Sequence, residues 1–208
     1  MGVLASGRGS NLQAVIDAIG DGRLDFEVAV VISNNADAVA LERAASNDIP
    51  AVHLSSRTHP DPPALDREMA DTLSGHGCDW ILLAGYMKLV GPVTLQRFEG
   101  RILNIHPALL PEFGGPGMYG AKVHEAVIAA GRKVTGVTIH LVDEEYDRGP
   151  IIARREVPVL ESDTPGTLAQ RVLEQEHEFL VTTLREIAEG QYPLKSPRHR
   201  DRRYDRPS

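Results

Sequence analysis

The chain has 208 residues, with 22 Lys+Arg against 29 Asp+Glu and a formal net charge of −7. At 42% hydrophobic and 25% charged its composition is globular, which excludes global disorder and disfavours non-specific nucleic-acid binding by the body of the protein. The single Cys78 excludes a disulfide framework and a Cys-based zinc cluster, and no apolar run reaches the ~18 residues of a membrane span.

Short β-branched runs alternate with longer amphipathic stretches along the chain. Residues 2–6 read as a strand and 11–19 as a helix, then 28–33 as a strand and 38–47 as a helix. A short strand at 51–54 leads into a Pro-rich turn at Pro60, Pro62 and Pro63. A helix at 64–76, a strand at 80–84, a short helix at 92–98 and a strand at 101–104 follow. The second half reads as a helix at 122–130, strands at 134–142 and 151–157, and a long helix at 165–189 that Gly190 stops. No Ser/Gly/Pro linker splits the chain, so the pattern predicts a single α/β domain with a mainly parallel sheet covered by helices on both faces. Ligands on such sheets bind beyond the carboxyl ends of the strands, so the loops after the strands are where chemistry is expected.

Residues 195–208 hold six basic residues and two acidic ones, with few apolar side chains. This basic tail, 191–208, reads as a solvated, flexible extension, and a nucleic-acid arm is the less favoured alternative. The chain starts directly with Met1-Gly2-Val3-Leu4 and shows no cationic leader, and one free thiol suits a reducing cytosol, so a cytoplasmic protein is expected.

The first loop, Ala5-Ser6-Gly7-Arg8-Gly9-Ser10-Asn11, joins a strand directly to a helix. Free N–H groups at that helix start, with its dipole, suit an anion, and Ser10 and Asn11 are placed to cap the helix. The loop lacks the Lys-Ser/Thr of a P-loop and has Leu12 where a dinucleotide fingerprint needs Gly; a tight turn that binds nothing is the alternative. Further on, Asn104 and His106 alternate onto one side of an extended segment, with Pro107 ending the pairing behind them. Histidine carries protons near neutral pH, and an asparagine amide can meet a developing oxyanion. Thr138 and His140 form a second polar pair, followed by the acidic loop Asp143-Glu144-Glu145-Tyr146-Asp147. A carboxylate from that loop beside a histidine would favour its charged form, although the pattern alone does not choose which acid. No close His/acid spacing of the zincin kind is present, so no metal is expected. On the last helix, Glu176 falls in the apolar stripe of Leu168, Val172, Phe179 or Leu180, Leu184 and Ile187, and a carboxylate there needs a partner.

Together these segments resemble phosphoribosylglycinamide formyltransferase. The motifs are Ser6-Gly7-Arg8-Gly9-Ser10-Asn11-Leu12-Gln13, Leu83-Ala84-Gly85-Tyr86-Met87, Asn104-Ile105-His106-Pro107-Ala108-Leu109-Leu110-Pro111 and Asp147-Arg148-Gly149-Pro150-Ile151-Ile152. The resemblance implies a single-domain Rossmann-like formyltransferase fold over residues 1–190. It implies 10-formyltetrahydrofolate as co-substrate, small-molecule partners, no metal, and a monomer or homodimer. By resemblance, Asn104, His106 and Asp147 are the catalytic trio, with Asp147 keeping His106 protonated, and Thr138 and His140 support them by holding a water. Gly9, Ser10, Asn11 and Glu176 would bind the phosphoribosylglycinamide. Met87, Lys88, Leu89, Val90 and residues 143–147, with Asn104, would form the folate pocket.

The sequence departs from the family pattern in three places. Residues 112–120 are a longer loop in which five of nine are Gly or Pro, which suggests mobility. Pro62 stands where some relatives carry an Arg, and Leu173 replaces a polar residue. A formyltetrahydrofolate hydrolase and a non-catalytic nucleotide-binding module on the same fold are the alternatives.

Overall fold

The computed structural model describes residues 1–192 and 194. The basic segment at 195–208 lies outside the described residues. Seven strands form one sheet: β1 (Gly2–Leu4), β2 (Val30–Ser33), β3 (Ala51–His53), β4 (Ile81–Leu83), β5 (Ile102–His106), β6 (Val134–Leu141) and β7 (Ile151–Pro158). Their order is β3-β2-β1-β4-β5-β6-β7. The first five strands pair parallel, and β5–β6 and β6–β7 pair antiparallel.

The helices are α1 (Ser10–Gly20), α2 (Val39–Ala45), α3 (Pro62–Gly75), α4 (Pro92–Arg97), α5 (Ala121–Ala129) and α6 (Pro165–Ala188). Strand alternation divides the core in two. Val3, Val31, Leu82, Leu103 and Ile139 face one side, where they meet Leu12 and Val15 of α1, Val127 of α5, and Leu168, Val172 and Leu180 of α6. Leu4, Ile32, Ile81 and Ile102 face the other, against Met69 and Leu73 of α3. Both faces are therefore dry, as a parallel sheet requires.

Two local expectations change. Pro62 and Pro63 are not a turn but the first residues of α3, capped by the Asp61 carboxylate on the Ala64 N–H at 3.1 Å. Proline is tolerated there because its missing N–H would have had no helical acceptor. Neither Ser10 nor Asn11 caps α1; the cap is Gly9, in a left-handed conformation (φ 66°), with no side-chain cap bond. A Cβ on Gly9 would lie 2.8 Å from Ala40, so both the turn and the packing of α1 on α2 need glycine.

Candidate active site

The antiparallel placement of β6 builds the site. Asn104 pairs in register with His140, and His106 with Thr138, so the two polar pairs share one face across adjacent strands. A register shift between β6 and β7 falls at Ile139/His140, the kind of irregularity that re-aims side chains beside functional sites. The loop after β6 returns Asp147 to this face with a left-handed backbone (φ 56°).

The amide Nδ2 of Asn104 donates to His140 Nε2 at 3.0 Å and to Asp147 Oδ1 at 3.3 Å. His140 Nδ1 lies 2.8 Å from the Leu141 carbonyl, which fixes its proton on Nδ1 and leaves Nε2 to accept. His106 Nδ1 is 3.6 Å from Asp147 Oδ2, and its Nε2 donates to the Phe113 carbonyl at 2.8 Å. The Gly115 N–H donates to Asp147 Oδ2 at 2.9 Å. The three groups named from sequence, Asn104, His106 and Asp147, thus form one contiguous cluster.

Electrostatics modify two expected roles. Burial pushes the His106 imidazole below its ordinary value and outweighs the Asp147 carboxylate and Phe113 carbonyl, which pull it upward. The Asp147 carboxylate is thus the main upward pull on His106 but does not offset its burial. Burial works to raise the Asp147 carboxyl, but the His140 ring 3.5 Å away, the field of His106 and the Gly115 N–H together bring it below its ordinary value. Asn104 has both amide hydrogens committed to protein partners, which leaves Oδ1 as its free hydrogen-bonding atom.

The cluster opens on a cavity of ≈ 590 Å³, within the range of small-molecule sites. At one end Asn11 and Glu176 line it together. Asn11 Nδ2 donates to Glu176 Oε2 at 3.0 Å, and Asn11 Oδ1 is buried with no partner. Glu176 is only 6% exposed, and burial pushes its carboxyl up to about 7 against the pull of the Asn11 bond. Gly9 and Ser10 stand at the start of α1, next to Asn11, but are not part of the cavity wall.

Met87, Lys88, Leu89 and Val90 form another wall. Met87 and Leu89 are 47% and 53% exposed, so these side chains are not core packing, whereas Val90 belongs to the core. Asp143, Glu145, Tyr146 and Asp147 line the cavity, and Glu144 is exposed outside it. Leu173 adds an apolar patch beside Glu176.

Thr138 departs from its expected role as a water holder. Its hydroxyl is fully buried, donates to the Ala108 carbonyl at 2.7 Å and accepts from the Leu110 N–H at 3.1 Å. It fixes the turn after β5; its one hydrogen is committed and the side chain lies outside the cavity wall. The 112–120 loop is also more integrated than its composition suggests. Its backbone holds His106 and Asp147 through Phe113 and Gly115, and residues 115–120 wall the cavity. Sequence reasoning missed these backbone groups, which leave no side-chain signature. It also missed His124 of α5, whose only signal is a histidine beside Val123 on the apolar face of a short helix. Among the described residues no group of three or more His, Cys, Asp or Glu is placed to hold a metal ion.

A family profile described as formyl transferase matches residues 1–184. Over 193 residues the chain is 39% identical to the phosphoribosylglycinamide formyltransferase of Haemophilus influenzae, covering 93% of this chain and 89% of that protein. The chain belongs to the phosphoribosylglycinamide formyltransferases of the formyl transferase family. The chain is also 44% identical over 190 residues to the chloroplastic phosphoribosylglycinamide formyltransferase of Arabidopsis thaliana, covering 91% of this chain. It spans 65% of the length of that chloroplastic relative. The solved structure of glycinamide ribonucleotide transformylase 1 from Symbiobacterium toebii matches the chain with a TM-score of 0.87 at 43% identity, covering 95% of this chain and 91% of that one. No helix among the described residues is long and apolar enough to cross a membrane.

Proposed function

We propose that residues 1–190 act as one cytoplasmic formyltransferase domain, working as a monomer or homodimer on small molecules. It transfers the formyl group of 10-formyltetrahydrofolate to the amine of 5-phosphoribosylglycinamide, giving formylglycinamide ribonucleotide and tetrahydrofolate. The observation that carries this reading is the junction of the Asn104, His106 and Asp147 side chains at 3.3–3.6 Å on the wall of a cavity that Asn11 and Glu176 line elsewhere.

The acceptor is placed by Glu176 and the start of α1. The orphaned Asn11 Oδ1 and the Glu176 carboxyl call for hydroxyl or amine hydrogens, which a ribosyl glycinamide carries. The uncapped N–H groups of α1, beginning at Gly9 and Ser10, suit its phosphate. The donor's flat pterin suits the wall from Met87 to Val90 and the 143–147 loop, where Met87 and Leu89 present apolar surface.

In the reaction the acceptor amine attacks the formyl carbon, a C–N bond forms, and the carbonyl oxygen becomes an oxyanion. His106 Nε2–H transfers from the Phe113 carbonyl to that oxyanion; a donor so placed is worth ~2.7–4 kcal/mol in comparable sites. Asn104 Oδ1, its free atom, accepts a hydrogen from the attacking amine and orients it. The proton that the amine releases reaches the leaving folate nitrogen through His106 or an ordered water, and the folate C–N bond breaks. While the imidazole is charged, the nearby Asp147 carboxylate stabilises it. The donor is already activated, so the transfer requires no nucleotide energy source.

The test is steady-state turnover of 10-formyltetrahydrofolate with and without phosphoribosylglycinamide. Turnover that requires the amine and yields its formyl derivative supports the proposal. Equal release of formate without the amine assigns the chain to formyltetrahydrofolate hydrolysis instead.

A further inference from the structure

A second cavity, of ≈ 750 Å³, lies over the carboxyl ends of β1, β2 and β3 and shares no lining residue with the first. No residue given a task in the proposed reaction lines it. The carboxyl ends of parallel strands are where α/β sheets take ligands. Arg8 lines this cavity from the loop after β1, and Arg57 from the loop after β3. β2 separates those two strands, so their ends stand about 10 Å apart, two strand spacings.

The positive charge in this cavity is uncompensated. Among the described residues no hydrogen bond or ion pair engages the guanidinium of Arg8, that of Arg57 or the ring of His53, a third lining residue. Asp37 is the one acid of the lining and pairs with neither arginine. In a chain of net charge −7, two fixed cations against one acid run counter to the overall balance and draw anions to the spot. Arg43 of α2, close by, is already spent on the Arg8 carbonyl at 2.9 Å and on Gln13 Oε1 at 2.8 Å.

The loops that carry the two free arginines are held by their own bonds. The Ala40 N–H donates to the Gly7 carbonyl at 3.0 Å, and Arg43 holds the Arg8 carbonyl, so the Arg8 side chain is the part of its loop left unengaged. Thr58 Oγ1 donates to the Ser55 carbonyl and accepts the Ser55 N–H, each at 2.9 Å, which closes a tight turn around Arg57. Fixed loops lower the ordering cost of bringing both guanidinia onto one ligand, and each planar fork matches a carboxylate or a phosphate.

We propose that this cavity is a second binding site, separate from the catalytic one, for a small anion of at least two negative charges held between Arg8 and Arg57. Carboxylate and phosphate share this chemistry, and two sources supply it: the γ-glutamyl tail of the donor, or a free phosphorylated molecule. The tail is a candidate because Ser6, in the lining, accepts the Met87 N–H at 2.8 Å and so joins this cavity to the folate wall. Naming the tail rests on the proposed reaction, but the anion site does not.

The experiment is a titration of the full chain, labelled with ¹⁵N-arginine, against inorganic phosphate and, separately, γ-linked triglutamate. The Arg8 and Arg57 Nε–H resonances are assigned by their loss in Arg8→Gln and Arg57→Gln, both exposed positions that tolerate the change. Saturable movement of both resonances with one midpoint is expected for at least one probe. Loss of a hydrogen bond to a charged group predicts about tenfold weaker binding at the remaining arginine in either variant. Phosphate held only at the start of α1 would leave Arg57 in place. A stationary Arg57 resonance with both probes overturns the proposal, as does equal movement of Arg23, an exposed arginine elsewhere on the surface, which reads as general screening. Turnover assays on Arg57→Gln separate the sources. A roughly tenfold rise in the KM of a polyglutamyl donor, with the KM of the monoglutamyl donor unchanged, assigns the tail. Saturation by phosphate with both donor KM values unchanged assigns a free phosphorylated molecule. Should the chain transfer no formyl group, the titration still reads the site.

Discussion

Replacing Glu176 with Gln tests the energetic cost of the acceptor end of the cavity. The Glu176 carboxyl titrates at about 7 in the fold and at 4.5 when unperturbed. Between those values the folded chain holds a proton that the unfolded chain has released. Stability from this group is thus full below 4.5 and is lost as pH rises through about 7. The buried anion then costs about 3 kcal/mol at pH 8 and about 1 kcal/mol at pH 5. Gln keeps an acceptor for the Asn11 Nδ2 hydrogen bond and removes the charge. For a domain of this size the melting temperature should rise by roughly 6–10 °C at pH 8 but only about 2 °C at pH 5. Scanning calorimetry of both chains at the two pH values measures the difference. The depressed His106 and His124 imidazoles lower stability as pH falls below their ordinary 6.5, but they are present in both chains and cancel in the comparison. A gap of equal size at both pH values, or a Glu176→Gln chain that melts lower at pH 8, refutes the buried-anion account.

His106→Ala should lower kcat by about 10²–10⁴ while leaving both KM values within a few-fold, since its contact develops only in the transition state; a near-normal kcat removes it from the mechanism. Asp147→Asn removes the carboxylate that pulls the His106 imidazole upward, so an NMR titration should find the His106 midpoint lower than in the wild-type chain, and no change would show that the 3.6 Å pair is electrostatically silent. Gly9→Ala forces a side chain into a left-handed conformation and against Ala40, so urea unfolding should show a loss of at least about 1 kcal/mol together with a raised acceptor KM; full stability would mean that the turn adjusts freely.

Much of this protein follows from local chemistry. Periodicities of two and of three to four separate strands from helices because a sheet buries alternate residues and a helix buries a stripe. Every element from β1 to α6 is legible on that basis to within a few residues at its ends. Asn104 and His106 share a face for the same reason, and Glu176 stands out as a carboxylate inside an apolar stripe. The tertiary structure decided what lies opposite these groups. The antiparallel insertion of β6 sets His140 against Asn104, and Thr138 turns out to hold backbone where a water was expected. The 112–120 loop, glycine-rich and apparently loose, supplies the Phe113 carbonyl and Gly115 N–H that hold the two central side chains. Strand pairing and backbone hydrogen bonds depend on chain segments far apart in sequence, and a backbone carbonyl has no residue identity to betray it. The balance between burial and charge on His106 depends on the same distant packing, so its direction too emerges only once the chain has folded.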